Sequence, residues 1–144
     1  MSQENVEIVL GLQRSGDEDF ASLIREDERW QRVVADAAPV VHEDAVSIRP
    51  DAPGGQEYFG LDGFRRMWLD WLAPWAEYRT AIEEAIDCGD RVLLLQNSTG
   101  RIYGSTQRVT LSPGVVWTVR DGKIARFEVY ADRAEALKAV GLAG

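Results

Sequence analysis

The chain has 144 residues, 45 % of them hydrophobic, which suits one domain with a core of its own. Its 24 acidic residues outnumber 16 basic ones for a net charge of −8, and the basic residues are scattered, so nucleic acid and anionic lipid surfaces are not expected partners. One cysteine, Cys88, and one histidine, His42, exclude an internal disulfide and fall short of a zinc ligand set.

Residues 1–5 carry neither a basic nor an apolar targeting segment, and the apolar run Val92 to Leu95 is far too short to span a bilayer. The expected location is the cytoplasm. Over residues 2–13, Val6, Val9 and Leu10 follow helical spacing, with Ser2 placed to cap and Gly16 to stop the helix. A second stripe, Phe20, Leu23 and Ile24 behind Asp17, resumes at Trp30, Val33, Val34 and Ala37. Two helices or one bent helix satisfy it. Pro39 ends the pattern, because proline lacks an N–H and disfavours helix at Ala38.

Residues 45–49 read as a strand, 50–55 as a Pro- and Gly-rich loop and 57–59 as a short returning strand. The clearest helical face follows: Phe64, Met67, Trp68, Trp71, Leu72 and Trp75 stand opposite Arg65, Arg66 and Asp70. Asp62 is placed to cap this helix, and Pro74 lies near its end.

Beyond Tyr78 the period shortens to that of strands, predicted over 80–86, 91–101, 107–119 and 123–130. Asp121-Gly122 marks a tight hairpin. A closing helix starts at Asp132, with Glu135 completing a capping box, and stops at Gly141-Leu142. Nothing divides the chain, so residues 1–144 form one domain. Helices followed by meandering strands predict an α+β fold with helices on one face of an antiparallel sheet. Both faces of Val92 to Leu95 are apolar, and a second copy of the chain, giving a homodimer, is expected to cover the outer one.

The segment 116–124 (VWTVRDGKI) and the ending 130–142 (YADRAEALKAVGL) resemble bacterial SnoaL-like proteins of the nuclear transport factor 2-like superfamily. That superfamily includes ketosteroid isomerase, limonene epoxide hydrolase and SnoaL-like polyketide cyclases. The resemblance implies a curved antiparallel sheet wrapped around N-terminal helices, a conical half-barrel with an internal pocket. It implies no metal or dissociable cofactor. Carried over position by position, the isomerase's general base falls at Arg49, its oxyanion-hole tyrosine near Val9 and its protonated aspartate near Val115. None of these residues can do that work. The epoxide hydrolase's paired aspartates meet Gln96, Asn97, Ser98 and Thr99, and the cyclases' acid falls in a strand, 115–119, without a carboxylate.

The ligand-binding candidates are Arg49, Trp71, Trp117 and Phe127. Trp71 lies on the apolar helix face, where core packing is the favoured account and a platform for an aromatic ligand the sharper one. Alternation puts Arg49 on the side of Ala45 and Ser47, which the resemblance assigns to the pocket; it needs an anionic ligand group or a carboxylate such as Asp51 or Glu57. The resemblance turns Phe127 and Val129 inward and Arg126, Glu128 and Tyr130 outward. His42, the chain's one histidine, is a candidate general base by residue type, but its place before a strand suits a capping or surface role. Of Gln96 and Asn97 one must face inward, and Cys88 has no basic residue beside it to activate it. The expected ligand is a small apolar or aromatic molecule bearing one acidic or carbonyl group. The expected activity is of isomerase, cyclase or hydrolase type, with a non-catalytic binding or scaffold module as the alternative.

Overall fold

Three amphipathic segments open the chain in the computed structural model, which describes residues 2–13, 16–50 and 54–142. They are α1 (Ser2–Gly11), α2 (Phe20–Arg25) and α3 (Asp27–Ala37). Extended backbone at Glu26 separates the last two, so the charged stretch holds two helices. α1 ends at Gly11, ahead of the stop expected at Gly16, because Leu12 and Gln13 turn back to bond the Val9 and Leu10 carbonyls at 3.1 Å. The side chain of Ser2, expected to cap α1, lies outside the described atoms. α2 begins at Asp19, whose carboxylate accepts from Ala21 N at 3.1 Å.

A 3₁₀ turn at Ala38–Val40, carrying Pro39, leads into β1 (Val41–Ile48), and β2 (Glu57–Phe59) returns antiparallel to it. The long apolar face forms α4 (Gly60–Leu72). Asp62 sits in its first turn rather than at its cap, where Phe59 stands without a side-chain bond. Trp75 also leaves the expected helix face. The helix stops before Pro74, and Trp75 opens β3 (Trp75–Cys88).

β4 (Arg91–Ile102) follows, then β5 (Arg108–Leu111) and β6 (Gly114–Arg120) where one strand was expected. Pro113 has no N–H to offer a ladder, and its carbonyl instead accepts from Gln96 N at 3.1 Å. β6 turns into β7 (Lys123–Tyr130) through Asp121 and Gly122, with φ of 56° and 75°, the paired left-handed conformation of a type I′ turn. α5 (Arg133–Ala139) closes the chain. Asp132 caps it by accepting from Ala134 N, and Leu142 N and Gly141 N bond back to Leu137 O and Lys138 O in a Schellman stop.

The sheet runs β2-β1-β7-β6-β4-β3, with β5 on the far half of β4. The β1–β7 pair is parallel, so the sheet is mixed. Register shifts in β3, between Trp75 and Glu77 and between Ile82 and Glu84, bend the sheet. Its concave face packs the main core: Val92, Leu94, Val115, Trp117, Phe127 and Val129 meet Ile24, Trp30, Met67 and Trp68 from the helices. On the convex face Leu93, Leu95, Val116 and Tyr130 are buried with Ala136, against which Leu137 and Val140 also pack. α5 therefore supplies the outer cover expected from a second copy. Gly114 makes this possible, because a Cβ there stands 2.4 Å from Ala136 Cβ.

Candidate functional site

Between the helices and the concave face lies a cavity of about 170 Å³. Its deep walls are aromatic, since the inward positions of three elements converge: Phe64 and Trp68 from α4, Trp117 from β6 and Phe127 from β7. Phe127 meets Trp117 edge-on at 4.5 Å and Phe64 at 4.8 Å, while Phe20 of α2 stands edge-on to Trp68 at 4.9 Å. Such edge-to-face packing fixes ring orientations and leaves apolar faces toward the cavity. Ile24, Ala45, Ile82 and Ile124 are among the aliphatic residues that extend the apolar lining.

The polar groups fall at two depths. Ser47 of β1, Thr80 of β3 and Gln96 of β4 line the interior, with Ser47 and Gln96 buried. Ser98 Oγ donates to Thr80 Oγ1 at 2.8 Å, and Thr80 donates to Gln96 Oε1 at 3.2 Å. Exposed Gly11 and Asp36 mark the mouth together with half-buried Gln13 and Glu18. Glu18 accepts from Arg29 Nη2 at 2.6 Å, and Gln13 Nε2 donates to Val9 O at 2.8 Å. The titratable carboxyls among the lining residues, Glu18 and Asp36, thus stand at the mouth.

Asp19 ties this end of the molecule to the sheet, accepting from Tyr78 N at 3.0 Å and from Ser22 Oγ at 2.8 Å. Burial pushes its carboxyl up, but those two bonds, the Ala21 N–H and the charge of Arg79 hold it below the usual carboxylate range. Burial raises the Tyr78 hydroxyl, and it raises the Cys88 thiol too, opposing any activation there.

Of the four residues expected at the site, Trp117 and Phe127 line the cavity together, whereas Arg49 and Trp71 are absent from its lining. The latter pair with each other: the Arg49 guanidinium lies 5.0 Å from the centre of the Trp71 ring. Arg49 Nε is buried without a hydrogen bond, and no described carboxylate pairs with it; Asp51, one of the two acids expected, lies outside the described residues. β1 ends at Ile48, so Arg49 has left the strand that faces the cavity. Beside it the Tyr58 hydroxyl donates to Asp70, and this bond raises the hydroxyl's pKa.

His42 is outside the lining and bonds the Arg120 carbonyl through Nε2 at 2.7 Å. Gln96 rather than Asn97 points inward, on the face it shares with Leu94 and Ser98. Val9 and Val115 are core residues, and Asp132 serves as a helix cap. The sequence reading missed Phe64, Glu18 and Asp36 as lining residues. Among the described residues no cluster of His, Cys, Asp or Glu is arranged to hold a metal ion, and no helix is long and apolar enough to cross a membrane.

Comparison with known proteins places this geometry. No curated protein matches the chain. Among solved structures, TerC co-crystallised with polyporic acid is 22 % identical, with a TM-score of 0.65 over 95 % of this chain and 98 % of its own. A putative SnoaL-like polyketide cyclase from Jannaschia sp. CCS1 is 19 % identical, with a TM-score of 0.67 over 96 % and 92 %. A Catenulispora acidiphila protein of ketosteroid isomerase-like fold, solved in complex with trimethylamine, is 16 % identical, with a TM-score of 0.60 over 94 % and 93 %. At these identities the likeness is one of fold, and it matches the curved, unclosed sheet wrapped on N-terminal helices. The model of the SnoaL-like domain matches residues 23–127, from α2 through the cavity-lining part of β7, and the chain belongs to that family.

Proposed function

We propose that this chain binds a small apolar or aromatic molecule in the cavity, with Trp68, Trp117 and Phe127 as its walls. The observation that carries the reading is the separation of chemistry by depth: aromatic faces and uncharged hydrogen-bonding groups inside, carboxyls at the rim. Two solved structures of similar fold were obtained with small molecules, polyporic acid and trimethylamine, which supports the same use of the fold here. Arg49 and Trp71 enter this reading as the layer behind Trp68 rather than as ligand contacts.

A second reading, catalysis of isomerase, cyclase or hydrolase type, is favoured by Asp36 and Glu18 standing where a ligand's outer end reaches them. The uncharged interior favours binding over chemistry. The reading includes a cytoplasmic homodimer. The resemblance carries the dimer, since α5 covers the strand that had called for one; a sedimenting species of 16.1 kDa at micromolar concentration removes it.

The test fills the cavity. Ala45 is buried on its wall, and Ala45→Leu places a larger side chain there. A library of aromatic compounds should quench the tryptophan fluorescence of the wild type saturably, and Ala45→Leu should abolish the quench while the far-UV spectrum stays native. Unchanged binding by the variant, or no stabilising compound in a broad thermal-shift screen, overturns the proposal.

A further inference from the structure

Gln96 is held on every side but one. It is 7 % exposed, its N–H donates to Pro113 O at 3.1 Å, and its carbonyl accepts from Arg133 Nη2 at 2.9 Å. Arg133 is itself anchored to Glu83 at 2.6 Å, so α5 and the break between β5 and β6 together fix this point of β4. The side chain is fixed as well. Thr80 has one hydroxyl proton; with Ser98 donating to its oxygen, that proton goes to Gln96 Oε1. The amide oxygen is thereby engaged, and the amide NH₂ makes no hydrogen bond to a described residue. It is left to a cavity whose other interior walls are mostly apolar, although two lining residues, Trp68 and Trp117, carry indole N–H groups that are buried without a partner.

We infer that Gln96 is the specificity-determining anchor of the cavity and selects ligands with a carbonyl-type acceptor oxygen, which its oriented NH₂ group binds inside aromatic walls. This deepens the proposed function and rests on the cavity being a ligand pocket. An unengaged donor that opens on a cavity with apolar walls favours an acceptor-bearing ligand over its hydrocarbon parent by about tenfold, because only the former satisfies it. Ser98 is a positioning residue, and Thr80, which also lines the cavity, sets the direction of the amide through its hydroxyl.

Three probes of one shape test this: indane, 1-indanone with its acceptor oxygen, and indoline with its N–H donor. For the wild type, tryptophan quenching should rank 1-indanone about tenfold above indane. The carbonyl ¹³C resonance of labelled 1-indanone in the complex should lie downfield of its position in an apolar solvent, as that of a carbonyl accepting a hydrogen bond does. Gln96→Leu should erase both the preference and the shift while indane binds as before. Thr80→Val should reduce the preference. Equal affinity for indane and 1-indanone, or tighter binding of indoline, overturns the inference and leaves the pocket standing. Failure of all three probes to bind the wild type overturns the inference and counts against the pocket as well. Should Gln96→Leu not fold, the wild-type ranking and the carbonyl shift decide alone.

Discussion

Replacing Asp19 by alanine strikes the joint between helices and sheet. The carboxylate caps α2 through Ala21 N, and losing a cap costs about 1 kcal/mol. It also accepts from Tyr78 N across the interface, and Tyr78 is 1 % exposed, so stranding that N–H costs about 1–3 kcal/mol more. Together these come to about 2–4 kcal/mol, a large share of the roughly 5–15 kcal/mol that holds a domain folded. At this chain length that corresponds to a fall in Tm on the order of 10 °C. Urea titrations followed by tryptophan fluorescence and far-UV circular dichroism measure the loss. A loss below about 1 kcal/mol, with coincident transitions, refutes the reasoning.

The same site has a signature in pH. Because Asp19's folded pKa is depressed, its stabilisation is fully present above the unfolded value near about 3.9 and is lost as pH falls through the folded value. The stability gap between wild type and Asp19→Asn therefore narrows in acid. A gap constant from about pH 7 to about pH 3 refutes the assignment.

Three other substitutions probe the rest of the molecule. Gly114→Ala drives a Cβ into Ala136 and should cost about 1–3 kcal/mol in equilibrium unfolding, recovered in part by adding Ala136→Gly; an unchanged midpoint counts against the tight seat of α5. Arg49→Leu should leave ligand affinity unchanged and cost about 0.5–1 kcal/mol through the lost Trp71 contact, whereas loss of binding puts Arg49 in contact with the ligand. Asp121→Val, at φ 56°, should cost about 1–2 kcal/mol while Asp121→Gly stays near neutral; equal melting of the two removes the turn argument.

The elements that carried their own local signal were legible in the sequence. Phe64, Met67, Trp68 and Trp71 keep strict helical spacing, and Asp121-Gly122 and Asp132 with Glu135 are turn and cap chemistry written in a few residues. Trp75 was misplaced because its spacing continues the helical stripe, while Pro74 decides the matter through a missing N–H. The strand pattern from 107 to 119 hid a break for a similar reason. Site residues divided by how far their placement depends on tertiary structure. Alternation groups Phe127 with Val129 and Arg49 with Ala45 and Ser47, and the resemblance turns both groups inward, but β1 has ended before Arg49. Glu18 sits in the bend before α2 and Asp36 on α3, and only the docking of α2 and α3 over the sheet brings them to one mouth.

The parallel pairing of β1 with β7 sets an order on assembly. Ser47 lies beside Phe127, so the strand that emerges from the ribosome early cannot take its place until nearly the whole chain has been made. Contacts between partners so distant in sequence close a large loop before any burial offsets its entropy, which slows folding and prolongs exposure of apolar edges. Until β7 arrives, β1 and β6 each present an unpaired edge and the aromatic floor lacks Phe127. A nascent or truncated chain stopping short of Lys123 is thus a sheet in two unjoined pieces, open to self-association.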